Sequence, residues 1–163
     1  MAPPTVRHHI YADQIIEVCD VDRTRMMIDI AHGRLRAGDL QSLVIYAGHE
    51  LADEYRKALQ LDLARPYTEA GPLPPHCRSP AVIGDAPPWA RPVWEVSAEK
   101  LELQLGIRRN TAYRYRGQGR FDYGSILELI RFAAFAAETG IRGELSAAVF
   151  GRPHPVVWDE GSG

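Results

Sequence analysis

The stretch GIRRNTAYRYRGQGR, residues 106–120, carries five arginines and no acid, although the whole chain has a formal net charge of −2. A guanidinium is always charged and presents a planar fork of donors that fits two oxygens of a phosphate or carboxylate at once, so arginines gathered in this way suit an anionic partner. Thr111, Tyr113 and Tyr115 lie among them and add a hydroxyl and two rings. Charge alone would allow a solvated helix face. The spacing of Gly106, Ile107, Ala112 and Tyr115 predicts instead a helix that packs on one side and turns its arginines outward.

Such a helix needs a neighbour to hold it. In AEKLELQLGIRRNTAYRYRGQGR two helical stretches meet at Gly106, a residue able to take the positive φ that a tight turn between helices requires. Leu101 and Leu105, one turn apart, would pack the first helix. KLELQLGI also alternates with period two, as a strand does, but Glu, Lys, Gln and Leu all favour helix. Arg108 stands where a capping Ser or Asp is expected, and Asn110 can cap a helix beginning two residues later. Gly117-Gln118-Gly119 reads as the helix stop. Beyond it, Ser125 and Glu128 fit a capping box opening ILELIRFAAFAAETG, a segment apolar nearly all round that is expected to be a buried helix ending at Gly140.

A shift of 86 residues lays CDVDRTRMMIDIAHGRLRAGDLQSLVIYA (19–47) on LGIRRNTAYRYRGQGRFDYGSILELIRFA (105–133) without a gap. Arg23 meets Arg109, Gly33 Gly119, Arg34 Arg120, Gly38 Gly124, Leu43 Leu129 and Ala47 Ala133. Val21 with Ile107, Leu35 with Phe121, Leu40 with Ile126, Val44 with Ile130 and Tyr46 with Phe132 keep the apolar pattern, which favours an internal duplication. Gly38-Asp39-Leu40 repeats the helix start of Gly124-Ser125-Ile126, and the helix it opens should run from Leu40 towards Leu61 with its early part buried.

Prolines crowd between Arg65 and Val93 and remove backbone donors, so this part reads as a linker or irregular arm. The expected organisation is all-α. Two pseudo-repeated helical units, 10–65 and 94–150, flank a Pro-rich linker at 66–93, and a tail follows at 151–163. With 163 residues and 45% apolar composition the chain can bury a core, and its near-neutral balance argues against coating a polyanion by bulk charge. MAPPTVRHHIYADQ lacks the apolar core of a signal peptide and no run approaches the ~18 residues of a bilayer span, so no membrane partner is expected and the cytoplasm is the expected compartment.

At this point the residues resemble a known family. Leu101, Leu105, Gly106, Ile107, Arg109, Thr111, Ala112, Arg114 and Tyr115 are similar to the helix-turn-helix of lambda-repressor-like (Xre or Cro type) DNA-binding domains, and SILELIRFA to that family's next core helix. The likeness spans residues 95 to 135, and the duplication extends a weaker form of it to the first copy. Glu102 and Ile16 stand where the family usually has a small residue. The resemblance implies a helix docked in the major groove of double-stranded DNA, with Arg109, Asn110, Tyr113 and Arg114 where the family reads bases. Lys100, Arg108, Thr111, Arg116 and Arg120 are then placed for phosphates. The function implied is a sequence-specific transcriptional regulator of bacterial or phage type, expected as a homodimer.

The first copy has Arg23, Thr24, Met27 and Ile28 at the proposed base-reading positions, with Asp20, Asp22 and Asp29 around them. Acids there oppose phosphates, so Met26, Met27 and Ile28 are expected to pack against the other copy or another subunit. The competing reading makes Arg23, Thr24, Arg25 and Arg34 a second DNA site. A wholly different reading is an antitoxin-like or adaptor module whose basic helix meets an acidic protein.

Cys19, Cys77, His76 and the remaining histidines match no zinc spacing, so neither metal nor cofactor is expected. No Walker lysine, GxSxG or paired carboxylates suggest an enzyme. Tyr55-Arg56-Lys57 reads as exposed helix surface, and Trp89 and Trp94 as anchors of the arm.

Overall fold

The computed structural model describes residues 8–63, 92–118, 121, 123 and 125–150. Residues 64–91 and 151–163 lie outside the described residues, and with them most of the Pro-rich linker, the tail, His76, Cys77, Trp89 and His154. Gly119, Arg120 and Gly124 lie outside them too. Along the chain come β1 (His8–Tyr11), α1 (Ala12–Val18), α2 (Arg23–Ala31), α3 (Leu40–Glu50) and α4 (Asp53–Leu63). Then follow β2 (Val93–Val96), α5 (Ala98–Leu105), α6 (Arg109–Gly117), α7 (Ile126–Ala136) and α8 (Thr139–Val149).

The protein is mostly helical, as its composition predicts, with one departure: β1 and β2 form an antiparallel ribbon. HHIY and VWEV are four residues each, too short for an alternating pattern to stand out. Among the described residues no helix is long and apolar enough to cross a membrane.

Shifted by 86 residues, the bounds of α2, α3 and α4 coincide with those of α6, α7 and α8. The ribbon obeys the same relation. His9 pairs with its own counterpart Glu95, while the flanking pairs His8 with Val96 and Ile10 with Trp94 exchange under the shift, which puts a local two-fold axis through the ribbon. Helix contacts follow this axis: α3 packs on α8 and α4 on α7, α3 on α5 and α1 on α7, and α3 meets α7.

Apolar patterning explains this interleaving. Every residue of α7 from Ile126 to Ala133 is buried, so the helix must be covered on all sides, and its own half of the chain cannot do that alone. Ser125 Oγ caps α7 by accepting from the Glu128 amide, as Asp39 caps α3 through the amides of Gln41 and Ser42. Close approach of α3 to α8 is permitted by Gly48, where a Cβ would lie 2.9 Å from Leu145 and 3.3 Å from Ala148. Trp94 is wholly buried and donates from Nε1 to the Arg36 carbonyl at 2.8 Å, an anchor on the opposite half. Gln104 of α5 likewise accepts from the Leu40 amide at 2.7 Å, at the start of α3.

Three expectations are corrected. The stretch from Leu40 towards Leu61 is two helices, because the chain breaks at Leu51, which bridges Cys19. Gly140 is not a stop: α7 ends at Ala136, Ala137 and Glu138 are extended in ψ, and Gly140 lies in the first turn of α8. Arg56 is not plain helix surface. Its guanidinium donates to the carbonyls of Ala148 at 2.6 Å, Val149 at 2.8 Å and His49 at 2.8 Å, tying α4 to the end of α8 and filling acceptors that the helix ends leave over.

One ionic cluster sits inside this packing. Arg131 of α7 is fully buried and lies 2.8 Å from Asp62 of α4 and 2.9 Å from Glu128. The counterparts in the other half are Ile45, Ala148 and Ser42, so the same place is uncharged across the axis. Breaking a buried ion pair costs more than replacing all its members, since a lone buried charge remains. Arg131→Ile alone should therefore cost about 3–5 kcal/mol in urea unfolding. The triple change Asp62→Ala, Glu128→Ser, Arg131→Ile should recover more than half of it; a triple variant no more stable than the single one would refute this account.

Candidate nucleic-acid interface

Ser97 opens α5 by accepting from the Lys100 amide at 3.2 Å, and Leu101 and Leu105 bury the inner face of this helix. The chain then reverses at Gly106, whose φ of 70° lies in the left-handed region, and the Ile107 amide donates back to the Leu101 carbonyl at 3.2 Å. The turn is also held from outside, because the Glu138 amide donates to the Leu105 carbonyl at 3.0 Å from the α7–α8 junction. In the first half the Ala52 amide bonds the Val18 carbonyl at 2.9 Å, the same kind of tie, but α1 ends on Cys19 in an extended conformation and no residue there takes a positive φ. The two turns therefore differ in shape.

Helix α6 leans on the core through Ile107 and Ala112, both wholly buried, and through Tyr115, whose ring meets Phe132 edge-on at 5.7 Å. Arg108, Arg109, Asn110, Tyr113, Arg114 and Arg116 are exposed, while Thr111 and Lys100 are half-buried. The packed and cationic flanks read from the spacing are thus both present. Arg114 lies over the Tyr115 ring at 5.0 Å and Arg116 over Tyr123 at 4.7 Å, with a nitrogen 3.2 Å from His8 Nε2 of β1. Arg120 lies outside the described residues.

The start of α6 differs from the expected one. The helix begins at Arg109, so Asn110 is within its first turn, and Arg108 at the cap position supplies no side-chain bond. Glu102 serves this end instead: its carboxylate accepts from the Arg109 amide at 3.4 Å and from Arg109 Nε at 2.8 Å. The acid that departs from the family pattern is thus a clamp between α5 and α6. It also means that Arg109, which the resemblance sets among the base readers, already has a carboxylate partner.

Comparisons of the chain with family models, characterised proteins and solved structures give no match.

Helix α2 occupies the place of α6 in the first half, but both of its arginines are matched by acids. Asp22 caps it by accepting from the Arg25 amide at 2.7 Å. Each arginine proposed for a second site meets a carboxylate: Arg23 pairs with Asp13 at 2.6 Å, Arg25 with Glu50 at 2.6 Å, and Arg34 with Asp29 at 3.1 Å. Thr24 is exposed beside them. Among the described residues, Arg108, Arg114 and Arg116 of the second half have no such carboxylate. Of the expected packing trio only Met26 is buried; Met27 and Ile28 stand about half exposed, at 45% and 50%.

Asp29 is the hub of the first half. It is buried, accepts from the Tyr46 hydroxyl at 2.5 Å, and pairs with Arg34. The Tyr46 bond, and then Arg34 and Arg25, hold its carboxyl below the ordinary range against the opposing effect of burial. The counterparts of Asp29 and Tyr46 are Tyr115 and Phe132, so a ring contact takes the place of the hydrogen bond. Cys19 is buried and its thiol is pushed up to about 12 by burial and then by Glu50, which keeps it protonated at neutral pH. Among the described residues no group of three His, Cys, Asp or Glu side chains could hold a metal ion.

Two outcomes follow. Because the Asp29 pKa is depressed on folding, its stabilisation is complete above the ordinary carboxylate range, ~4, and fades as pH falls through the folded value. Tyr46→Phe should cost about 1–2 kcal/mol at pH 7, and urea curves at pH 3 should show a smaller gap from the parent protein. A gap that widens on acidification would contradict the assignment. Gly106→Ala should cost about 1–2 kcal/mol through its positive φ, and its Cβ would sit 3.1 Å from the Glu138 Cβ.

Proposed function

We propose that the chain is a tandem pair of helix-turn-helix units that binds double-stranded DNA, reads the major groove with α6, and regulates transcription in the cytoplasm of a bacterium or in a phage-infected cell. The observation that carries this reading is electrostatic. Two helices with identical bounds under the 86-residue shift hold arginine outward, yet Arg23 and Arg25 of α2 are both paired with acids, while on α6 Arg109 alone has a carboxylate among the described residues and Arg114, Arg116 and the preceding Arg108 have none. Cations held along one helix without a neutralising carboxylate are what a phosphate backbone requires. Further support comes from the turn, where a left-handed glycine sets α6 at an angle to α5 and leaves its first turn exposed.

Within this reading Asn110, Tyr113 and Arg114 face base edges, and Arg109 joins them by leaving Glu102. Lys100, Arg108, Thr111, Arg116 and Arg120 take phosphates. Arg23, Thr24, Arg25 and Arg34 take none, because DNA would have to displace Asp13, Glu50 and Asp29. One reading helix per chain makes a homodimer the unit that reads a two-fold operator.

The test begins with selection of bound fragments from random duplexes at two salt concentrations. Arg114→Ala should weaken the selected site about ten-fold or more and random DNA much less. Arg116→Ala should weaken both alike and reduce the salt slope by about 1, and Arg23→Ala should leave both unchanged. Removing the competing carboxylate with Glu102→Gln should tighten binding. Equal losses on specific and random DNA for Arg114→Ala would remove α6 as the reader, and capture of an acidic protein with no retardation of any duplex would favour the adaptor reading.

A further inference from the structure

A cleft of about 350 Å³ opens beside α6, lined by Gly106, Arg108, Thr111, Tyr115, Phe135 and Ala136. It lies where the turn, the inner edge of α6 and the last turn of α7 come together. The first half has a corresponding place, since the counterparts of these residues are Asp20, Asp22, Arg25, Asp29, His49 and Glu50. That place is plugged from within. Arg25 reaches from α2 to Glu50 at the end of α3, at 2.6 Å, with Asp29 3.7 Å from its Nε, and Asp22 caps the helix start.

In the second half every part of the plug is exchanged. Thr111 replaces the guanidinium, Tyr115 and Ala136 replace the two acids that held it, and Arg108 replaces the capping aspartate at the rim. What was a closed ion pair becomes an open cleft with an aromatic wall and a cation at its mouth. We infer that this cleft binds a small aromatic carboxylate. Its ring would lie against Tyr115 and Phe135 and its carboxylate would meet Arg108 and the Thr111 hydroxyl. The volume is at the small end of ligand sites, ~300 Å³ upwards, which suits a molecule of one ring. The reversal of charge at the rim, from Asp22 to Arg108, selects the sign of the ligand.

Occupancy of the cleft does not rest on the DNA reading, and it is measured without DNA. Benzoate is the probe, with benzyl alcohol as its uncharged analogue, in an amide-resolved NMR titration of the full chain. Benzoate should shift the Gly106 and Thr111 amides saturably, with a Kd of about 1 mM. Benzyl alcohol should bind about five- to ten-fold more weakly, and Arg108→Gln should weaken benzoate by a similar factor. The triple variant Thr111→Arg, Tyr115→Asp, Ala136→Glu transplants the plug and should abolish the shifts. Arg108→Gln alone, an exposed change, keeps the test decisive if the triple variant fails to fold. Absence of saturable shifts at those amides, equal affinity for benzyl alcohol, or unchanged benzoate binding by Arg108→Gln would overturn the proposal. A positive titration together with no retardation of any duplex would leave the cleft standing and remove the DNA reading.

Discussion

A helix apolar on every side cannot end a fold; something must enclose it, and α7 is such a helix from Ile126 to Ala133. Its own half supplies α8 and the Tyr115 ring of α6, while the other half supplies α1, α3 and α4. Enclosing α7 therefore forces the two halves to interleave. Much else in the structure follows, including the crossing at Gly48, the reach of Arg56 to the end of α8 and the docking of Trp94 on the Arg36 carbonyl. Orientation of α6 is set at one remove, since Tyr115 leans on Phe132 of α7 and the turn at Gly106 is bonded to the α7–α8 junction.

On this shared frame the two halves place charge differently. In the first, acids and arginines are matched at the surface and Asp29 collects Tyr46 and Arg34. In the second, apart from the surface pair of Arg109 with Glu102, charge goes to the extremes: Arg131 and Glu128 are wholly buried, and the other arginines of α6 are outside. A matched pair on a surface contributes little to stability and leaves little field beyond it, whereas cations with no carboxylate beside them project one. The difference between α2 and α6 is thus one of outward potential more than of helix geometry.

Much of this was legible in the chain itself. Leu101, Leu105, Ile107, Ala112 and Tyr115 announce two helices packed about a turn, because burial at helical spacing leaves a periodic trace. The apolar run after Ser125 announces a buried helix for the same reason. What stayed hidden depends on partners distant in sequence. Glu102 as a clamp for Arg109, Arg25 bridged to Glu50, and Arg56 on the carbonyls of α8 are polar contacts with no periodicity of their own. The ribbon leaves no such trace because four residues on each strand carry too little pattern, nor do the helix ends at Glu50 and Ala136, because neither is a glycine or proline or is followed by one. The cleft beside α6 becomes visible only when the two halves are laid over each other in space.

The axis through His9 and Glu95 has one more implication. In a pair of separate identical chains, both sides of such an axis must carry the same residue, and association weakens on dilution. Here both sides belong to one polypeptide. Position 131 can be arginine while its mate at 45 is isoleucine, and the tether, not the protein concentration, sets how firmly the halves hold each other.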